Sequence, residues 1–434
     1  MSNTTSRVWQ VCELCANRLP DDHPAPQCPA CGGLLSIEHP VPVGSPAELR
    51  ARFDQRCCIT SSGAAQSGVW RFAEVVHPSA AQPVTYPEGN TPLIARAAVS
   101  RFAGCENLLL KHEGMNPTGS FKDRGMTVGV TQAQRVGARA VACASTGNTS
   151  ASLASYAALA GLPALVFVPA GQIALGKLTQ TLAYGARTLL VQGDFDACLT
   201  LARESSERLG IYLLNSINPW RVEGQKTIVF ELLQQLRWDP PEWIVLPAGN
   251  LGNTAAFGKA LREAYAWGLI ARLPRLLAVQ AAGASPFWQS FTDDFSIRHR
   301  QKAETVATAI KIGDPASYQR GVEAIRSTHG VVARVTDEEI MESKAVVDAA
   351  GVGCEPASAA SVAGVRQLVS SGVIAAGDRV VAVLTGHVLK DPGVLQRYHQ
   401  EDMDPRPARA NPPVEIEASL SAVERVLKDD IHQR

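Results

Sequence analysis

The sequence lacks several features that would each indicate a different class of protein. It has no apolar run of 18 residues or more, so no transmembrane helix is predicted. It has no excess of charge, because 41 Lys and Arg residues balance 41 Asp and Glu residues. This balance argues against electrostatic binding of nucleic acid as the main activity. The first residues lack the basic and then apolar pattern of a secretory signal, so we expect a cytoplasmic protein with no membrane partner.

Cysteine is also sparse, since 10 residues in 434 are too few for a disulfide scaffold. Four of them follow a C-x2-C, twelve-residue, C-x2-C pattern: Cys12, Cys15, Cys28 and Cys31. Two tight turns of this kind can bring four thiolates together around a zinc ion. Accidental pairs of reduced thiols and a redox pair remain alternatives, although no strand-then-helix pattern surrounds either pair. We predict a zinc ribbon over residues 1–40.

The rest of the chain reads as an α/β protein with more than one sheet. From about residue 85, apolar runs such as Ala140–Ser145 alternate with helical patterns such as Asn148–Ala160. Because these runs are continuous, they indicate parallel strands that helices cover on both faces. The number of crossovers favours two open sheets. We predict a linker over 41–84, a core over 85–395 with a smaller subdomain at about 117–217, and a tail over 396–434.

Four segments are unusual at positions where strands end and helices begin, which is where open α/β sheets bind ligands. Pro247–Asn253 is rich in small residues and can form an anion cradle, or an ordinary turn. Asn116–Gly125 places Lys122 at a helix start, where the dipole lowers the pKa of an amine; a solvated surface lysine is the alternative. Ser145–Ser152 offers hydroxyl and N–H groups, or only a helix cap. Thr385 ends a strand, where a structural role is the alternative.

Together these segments resemble the fold type II pyridoxal-phosphate (PLP) enzymes, and among them the threonine synthases of the shorter archaeal and bacterial type. The sequence Asn-Pro-Thr-Gly-Ser-Phe-Lys-Asp-Arg-Gly at 116–125 is similar to the motif that carries PLP. Further similar blocks follow in the family's order, at 88–93, 144–149, 176–186, 215–227, 249–253, 307–316, 354–361 and 384–392. The resemblance covers about residues 68–395 and implies a core similar to the tryptophan synthase β subunit. A four-Cys ribbon also occurs in many members.

The resemblance also implies roles for individual residues. Lys122 would carry PLP covalently and transfer protons. The residues implied to contact the cofactor are Phe121, Lys122, Asn148, Gly249, Asn250, Leu251, Gly252, Asn253 and Thr385. The residues implied to contact the substrate are Ser145, Thr146 and Thr149, together with Asn215, Ser216 and Arg221, which would bind its phosphate. Leu251 departs from the pattern, since it is bulkier than the small residue often found inside that cradle.

The implied reaction converts O-phospho-L-homoserine and water to L-threonine and phosphate, by γ-elimination and β-hydration, and a homodimer is expected. Two PLP-dependent alternatives remain: a β-replacement enzyme for O-phosphoserine, similar to cysteate synthase, and a serine or threonine dehydratase. The block that contains Arg221 argues against the dehydratase, which needs no phosphate site. A third alternative is a catalytically silent regulator whose ribbon binds a partner.

Overall fold

The computed structural model describes residues 7–57, 63–171, 175–400 and 407–433, and the strands in these ranges form three sheets. The strands are β1 (Trp9–Cys12), β2 (Arg18–Pro20), β3 (Leu35–Glu38), β4 (Leu93–Ala95), β5 (Asn107–His112), β6 (Ala140–Ala144), β7 (Ala164–Pro169), β8 (Arg187–Val191), β9 (Ile211–Leu213), β10 (Trp243–Pro247), β11 (Arg275–Ala281), β12 (Val331–Val335) and β13 (Arg379–Leu384). The first eight helices are α1 (Pro46–Arg56), α2 (Ala73–Val76), α3 (Ala97–Ala103), α4 (Lys122–Arg135), α5 (Asn148–Ala160), α6 (Leu175–Ala183), α7 (Phe195–Leu209) and α8 (Pro219–Gln225). The others are α9 (Thr227–Gln235), α10 (Gly252–Ala266), α11 (Pro286–Thr292), α12 (Tyr318–Ser327), α13 (Asp337–Ala349), α14 (Pro356–Ser370), α15 (Pro392–Gln400) and α16 (Leu420–Gln433).

Two parallel sheets form the centre of the α/β fold, and the predicted fold class is confirmed. The larger sheet has the order β12-β11-β10-β13-β5-β4, in which only β4 is antiparallel to its neighbour. The smaller sheet has the order β8-β7-β6-β9, and all its pairs are parallel. Every residue of β6 and β10 is buried, which explains why their apolar runs are continuous rather than alternating. The carboxyl ends of β6, β10 and β13 lead directly into the unusual segments.

Helix boundaries differ from the sequence prediction around residue 226. The pattern predicts one helix over 224–236, but two helices, α8 and α9, meet at Lys226. The earlier start follows from Asn218, whose side chain accepts the backbone N–H groups of Trp220 and Arg221. At the interruption, the hydroxyl of Thr227 donates a hydrogen bond to the Gly224 carbonyl over 2.6 Å.

Part of the segment predicted as a linker is helical and packed. Helix α1 has a capping box, in which Ser45 accepts from the backbone of Glu48 and the Glu48 side chain accepts from the backbone of Ser45. Its buried residues Leu49 and Phe53 belong to the main hydrophobic cluster, and Phe53 meets Phe72 edge to face with ring centres 5.0 Å apart. The Pro, Gly and Ser residues that suggest a linker therefore flank an ordered element.

The C-terminal region forms a separate compact unit over Asp391–Arg434, which contains α15 and α16. Residues 401–406 of the predicted tail lie outside the described residues. Helix α16 is longer than the segment 420–427 suggested by the sequence, and it exposes Leu420, Val423 and Leu427. None of the helices in the described ranges is both long enough and apolar enough to span a membrane.

Helices α4 and α8 cross at a pair of glycines, which brings their polar residues close together. A Cβ atom on Gly224 would lie 1.8 Å from the Arg124 carbonyl oxygen, and one on Gly125 would lie 3.0 Å from the Arg221 carbonyl oxygen. No side chain fits between the two backbones at this point. The crossing therefore fixes how far Lys122, at the start of α4, lies from Arg221 on α8.

We predict that Gly224→Ala lowers the free energy of unfolding by about 3 kcal/mol, because the added methyl group forces the two helices apart. Chemical denaturation of the variant and the wild type measures this difference. Gly377→Ala is the matched control, since a Cβ at that exposed glycine meets no atom within 4 Å. Equal stability of the Gly224 variant and the wild type would contradict the close crossing.

Candidate active site

The loop before α4 is attached to the end of β13, so Lys122 and Thr385 lie in one region. The backbone N–H of Phe121 donates to the Thr385 carbonyl over 3.0 Å, and that of His387 donates to the Gly119 carbonyl over 2.9 Å. Ser120 and Gly386 form a β-bridge between these two contacts. Because β13 belongs to the larger sheet, the loop holds the first residue of α4 at the carboxyl edge of that sheet.

The amine of Lys122 is suited to act as a nucleophile near neutral pH. It lies 4.3 Å from the ring centre of Phe121, and it has no hydrogen-bond partner within the described part of the chain. Burial and the positive charge of Arg221 lower the pKa of Lys122 from 10.5 to about 7, while the Glu355 carboxylate opposes this shift. A large share of the amine is therefore unprotonated near pH 7.

Asp123 holds the Lys122 loop against α5. Its carboxylate accepts the backbone N–H of Thr118 over 2.7 Å and the Thr118 hydroxyl over 2.6 Å. It also accepts the hydroxyl of Ser152, on α5, over 2.6 Å. Burial raises the pKa of Asp123 to about 6, against the effect of these hydrogen bonds. The buried carboxyl group of Asp123 thus connects the Lys122 loop to α5, the helix that follows β6 of the smaller sheet.

The segment Gly249–Asn253 forms a cradle at the N-terminus of α10. A Cβ atom on Gly249 would lie 3.0 Å from the Ile310 Cα, so the chain passes this point without room for a side chain. Within the described part of the chain, both polar atoms of the buried Asn253 amide lack a hydrogen-bond partner, as does the hydroxyl of Thr254. Unpaired buried polar groups are costly, and here they surround a helix N-terminus that favours an anion. These residues fit the phosphate group of PLP.

Leu251 enters this cradle at a backbone cost that its side chain offsets. Its φ is +61°, in the left-handed region, where a residue other than glycine costs about 1 to 2 kcal/mol. The side chain is buried in the main hydrophobic cluster, and a Cβ on Gly321 of α12 would lie 2.9 Å from its Cδ1. Burying a leucine contributes about 1.5 to 3 kcal/mol, which is of the same size. The bulk of Leu251 therefore lies in the core rather than inside the cradle.

Arg221 carries a fully buried guanidinium group. Its Nη1 donates to the Leu214 carbonyl over 3.0 Å, but Nε and Nη2 have no hydrogen-bond partner among the residues that the structure describes. No described carboxylate lies within ion-pair distance of it. Burial lowers the pKa of Arg221 to about 10, so the group still carries its charge at neutral pH. An unpaired buried charge is strongly unfavourable, and such a site is suited to an anion.

The predicted substrate residues surround the ends of β6 and β9. Asn215 accepts the backbone N–H of Ala144 over 3.1 Å, which connects the two strand ends. Helix α5 begins at Asn148 after Gly147, which supplies no side-chain cap, so the first N–H groups of the helix are not capped by it. The predicted substrate residues in these two segments are all half-buried: Ser145, Thr146, Thr149, Asn215 and Ser216.

Glu355 is a residue of this region to which the sequence analysis assigned no role. Its carboxylate accepts the Asn148 amide over 2.9 Å and the Thr385 hydroxyl over 3.1 Å. The hydroxyl of Ser358 lies 3.0 Å from that of Thr385. The signal in the sequence is a single carboxylate in a run of small residues, directly before Pro356 at the start of α14. Its partners lie 30 or more residues away, so no local pattern identifies them.

The four ribbon cysteines converge. Their Sγ atoms lie 3.4 Å apart for Cys12 and Cys31, 3.4 Å for Cys15 and Cys31, and 3.7 Å for Cys15 and Cys28. All four sulfur atoms lie within 4.8 Å of one another, and no disulfide joins them. A tetrahedral Zn–S distance of about 2.3 Å places sulfur atoms about 3.8 Å apart. The arrangement therefore fits a zinc ion.

Comparisons with known proteins identify the family. The profile of the family described as pyridoxal-phosphate dependent enzyme matches residues 84–386. A threonine synthase of Methanosarcina acetivorans is 42% identical over 418 residues, which are 96% of this chain and 98% of the relative. One of Methanocaldococcus jannaschii is 41% identical over 429 residues, which are 97% of this chain and 100% of the relative. The chain belongs to the threonine synthase family.

Solved structures support the fold at lower identity. Threonine synthase from Escherichia coli has a TM-score of 0.61 and 20% identity, and covers 92% of this chain and 94% of its own. A fungal L-serine ammonia-lyase from Rhizomucor miehei has a TM-score of 0.64 and 21% identity, and covers 74% of this chain and 100% of its own. The fold type II architecture, the threonine synthase family and the use of PLP are thus confirmed. The roles of individual site residues stay predictions.

We predict that PLP attaches to the cofactor-free protein at a rate that rises with pH through a midpoint near 7. Only the neutral amine attacks a carbonyl carbon, and the pKa of Lys122 is lowered to about 7, so the neutral fraction rises as pH increases through that value. Visible absorbance after rapid mixing, from about pH 6 to about pH 11, measures the rate.

Two variants check the cause of this midpoint. Arg221→Leu should move it upward, because the loss of a nearby positive charge favours the protonated amine. Glu355→Gln should move it downward for the opposite reason, and Lys122→Ala should not attach PLP. A midpoint near the ordinary lysine pKa of 10.5, unchanged in both charge variants, would contradict the assignment of Lys122.

Proposed function

We propose that the chain converts O-phospho-L-homoserine and water to L-threonine and inorganic phosphate. The observation that carries this proposal is the buried Arg221 guanidinium. Its Nε and Nη2 have no partner in the described ranges, and it is near enough to Lys122 to lower the pKa of that amine. A planar fork of N–H donors matches two oxygens of a phosphate ester. The family relationship supplies the activity that such a pair of groups would serve.

Two separate groups of residues would hold the cofactor and the substrate phosphate. The Gly249–Asn253 cradle would hold the phosphate of PLP, with Asn148 and Thr385 at the ring and Phe121 beside it. When bound, PLP stabilises negative charge on the substrate carbon atom that carries the amino group. Arg221, with Asn215 and Ser216 in the preceding turn, would hold the phosphate of the substrate, and Ser145, Thr146 and Thr149 its carboxylate and phosphate.

Lys122 would perform the proton transfers. Its Nζ is partly neutral near pH 7, so it can accept the proton from the substrate Cα and later return a proton to carbon. Arg221 stays charged at this pH, since its pKa is about 10, and it can hold the phosphate after the ester bond breaks. A phosphate retained there would lie beside the carbon that water attacks and would orient that water.

Two alternatives remain close in chemistry. A serine or threonine dehydratase has no use for a buried guanidinium without a partner, so Arg221 disfavours it. An enzyme that acts on O-phosphoserine would use the same clamp on a substrate one carbon shorter. Incubation of the holoenzyme with O-phosphohomoserine should release threonine and phosphate in equal amounts, whereas O-phosphoserine with sulfite should release little phosphate. Faster turnover of O-phosphoserine would replace the proposal with β-replacement.

We predict that Arg221→Ala lowers kcat/KM for O-phosphohomoserine roughly a hundredfold, which corresponds to about 3 kcal/mol. The reason is that the substrate phosphate loses its buried, oppositely charged partner. Dehydratase activity on threonine, which needs no clamp, should be spared. The cofactor absorbance should stay near that of wild type, since the cradle at 249–253 is separate.

Steady-state kinetics with both substrates measure the two effects, and Arg187→Ala, at an exposed residue of β8, is the control. If both activities of Arg221→Ala fell by one factor, Arg221 would be a supporting residue rather than a phosphate ligand. If neither fell, the substrate phosphate would bind elsewhere.

We further infer that the four ribbon cysteines hold a structural zinc ion, as their sulfur geometry supports. A homodimer and a cytoplasmic location also stay predictions, which sedimentation and cell fractionation check. The ribbon and the cofactor cradle use different residues, so each can be lost without the other.

Cys28→Ser should therefore lose zinc and retain PLP, because three ligands hold the ion poorly. Metal analysis and visible absorbance measure the two groups in protein purified without chelator. Cys57→Ser, at an exposed cysteine outside the ribbon, should keep both. Wild-type protein that contains no zinc would end this proposal.

A further inference from the structure

The predicted zinc ribbon contacts three helices of the core. On α4, Gln132 donates to the Asp21 carbonyl over 2.7 Å, and Arg135 lies 3.0 Å from the Asp21 carboxylate. On α12, Arg320 donates over 2.6 Å to the Glu13 carboxylate and over 2.6 Å to the Leu35 carbonyl. The third contact joins the residue after β3 to α8.

The same three helices carry the proposed site. Helix α4 begins at Lys122, and α8 contains Arg221. Helix α12 follows Ser317, whose backbone N–H donates to the carbonyl of Asn250 in the cofactor cradle over 3.1 Å. The ribbon therefore contacts residues that lie about half a turn to almost four helical turns from the groups that would bind cofactor and substrate.

The contact on α8 is the one nearest in sequence to Arg221, the proposed clamp for the substrate phosphate. His39 Nε2 lies 2.6 Å from a Glu223 carboxylate oxygen, and both side chains are 1% exposed. Glu223 stands two residues after Arg221 on a helix of seven residues. A helix this short has little stability of its own, so tertiary contacts decide its position.

Glu223 belongs to a buried ionic cluster that excludes a metal ion. Its carboxylate also contacts the amines of Lys226 and Lys259, and both amines pair with Glu263 as well. A cation at His39, Glu223 and Glu263 would have to displace two ammonium groups. Burial and the Lys226 charge lower the pKa of His39, so its neutral ring donates the Nε2 hydrogen to Glu223. His39 is the ribbon-side member of this cluster.

We propose that the zinc ribbon positions the substrate-phosphate clamp, because the His39–Glu223 hydrogen bond fixes α8 and thereby the direction of the Arg221 guanidinium. The inference rests on the proposed function, in which Arg221 binds the substrate phosphate. His39 is then a positioning residue, since it acts through Glu223 and touches neither substrate nor cofactor. Loss of zinc would weaken phosphate binding through the same hydrogen bond.

The test compares His39→Leu, which removes the donor, with His39→Gln, whose amide can still donate to Glu223. In the holoenzyme, His39→Leu should raise the Kd of inorganic phosphate about tenfold and raise the KM of O-phosphohomoserine by a similar factor. The kcat and the cofactor absorbance should stay near wild type, and His39→Gln should restore most of the affinity. Calorimetric titration with inorganic phosphate gives a reading that does not depend on turnover.

Arg18→Ala is the matched control, since Arg18 pairs with Glu38 within the ribbon and both side chains are about half exposed. It should leave phosphate binding unchanged. Zinc removal by a chelator should weaken phosphate binding in the wild type, but should add little to the effect of His39→Leu. If His39→Leu does not accumulate as folded protein, zinc removal from the wild-type holoenzyme gives the decisive comparison with His39→Gln.

Several results would overturn the proposal. The first is a His39→Leu variant that binds inorganic phosphate with wild-type affinity. The second is a His39→Gln variant that binds phosphate as weakly as His39→Leu. Zinc removal that weakens binding by the full factor in both wild type and His39→Leu would show that the ribbon acts by another route. Failure of the proposed function is distinguishable, because the wild-type holoenzyme itself would then neither bind phosphate nor release it from O-phosphohomoserine.

Discussion

A single buried carboxylate, Glu231 on α9, binds several segments of the chain that support the candidate site. It accepts hydrogen bonds from Arg71 and Lys111, and from Arg124 two residues after Lys122. It also accepts the backbone N–H groups of residues 90 and 91. Removal of one partner from a buried ionic group typically costs about 3 to 5 kcal/mol, because the remaining charge is left uncompensated. The start of α4 is therefore anchored by contacts to segments that lie before and after it in the chain.

The candidate site differs from this cluster in whether its buried polar groups have partners. Around Glu231 each buried charged group contacts a group of opposite charge, whereas Arg221 and the amide of Asn253 are buried with polar atoms that have no hydrogen-bond partner among the described residues. An unmatched buried polar group lowers stability unless something binds it. In the proposed function, the two sets of such groups, one at the α10 N-terminus and one on α8, would bind the phosphate of the cofactor and the phosphate of the substrate separately.

The sequence predicted the features whose signals are local. Helix α5 has the predicted bounds, Asn148–Ala160, and Gly161 ends it in the left-handed region. Helix α1 was missed although its capping box is in the sequence, since Pro and Gly residues nearby favoured a linker. Glu355 and His39 could not be assigned, because their partners Asn148 and Glu223 are 207 and 184 residues away. Such contacts depend on the packed fold and have no periodic pattern.

In the proposed function, Arg221 has two electrostatic effects that oppose each other once substrate binds. Its charge lowers the pKa of Lys122 in the structure, which keeps part of the amine neutral. A phosphate dianion held by Arg221 would offset that charge, and the pKa of Lys122 would then rise. A stronger base accepts a carbon-bound proton more readily. The amine would therefore be available to the cofactor before substrate arrives, and would become more basic when a phosphorylated substrate occupies the clamp.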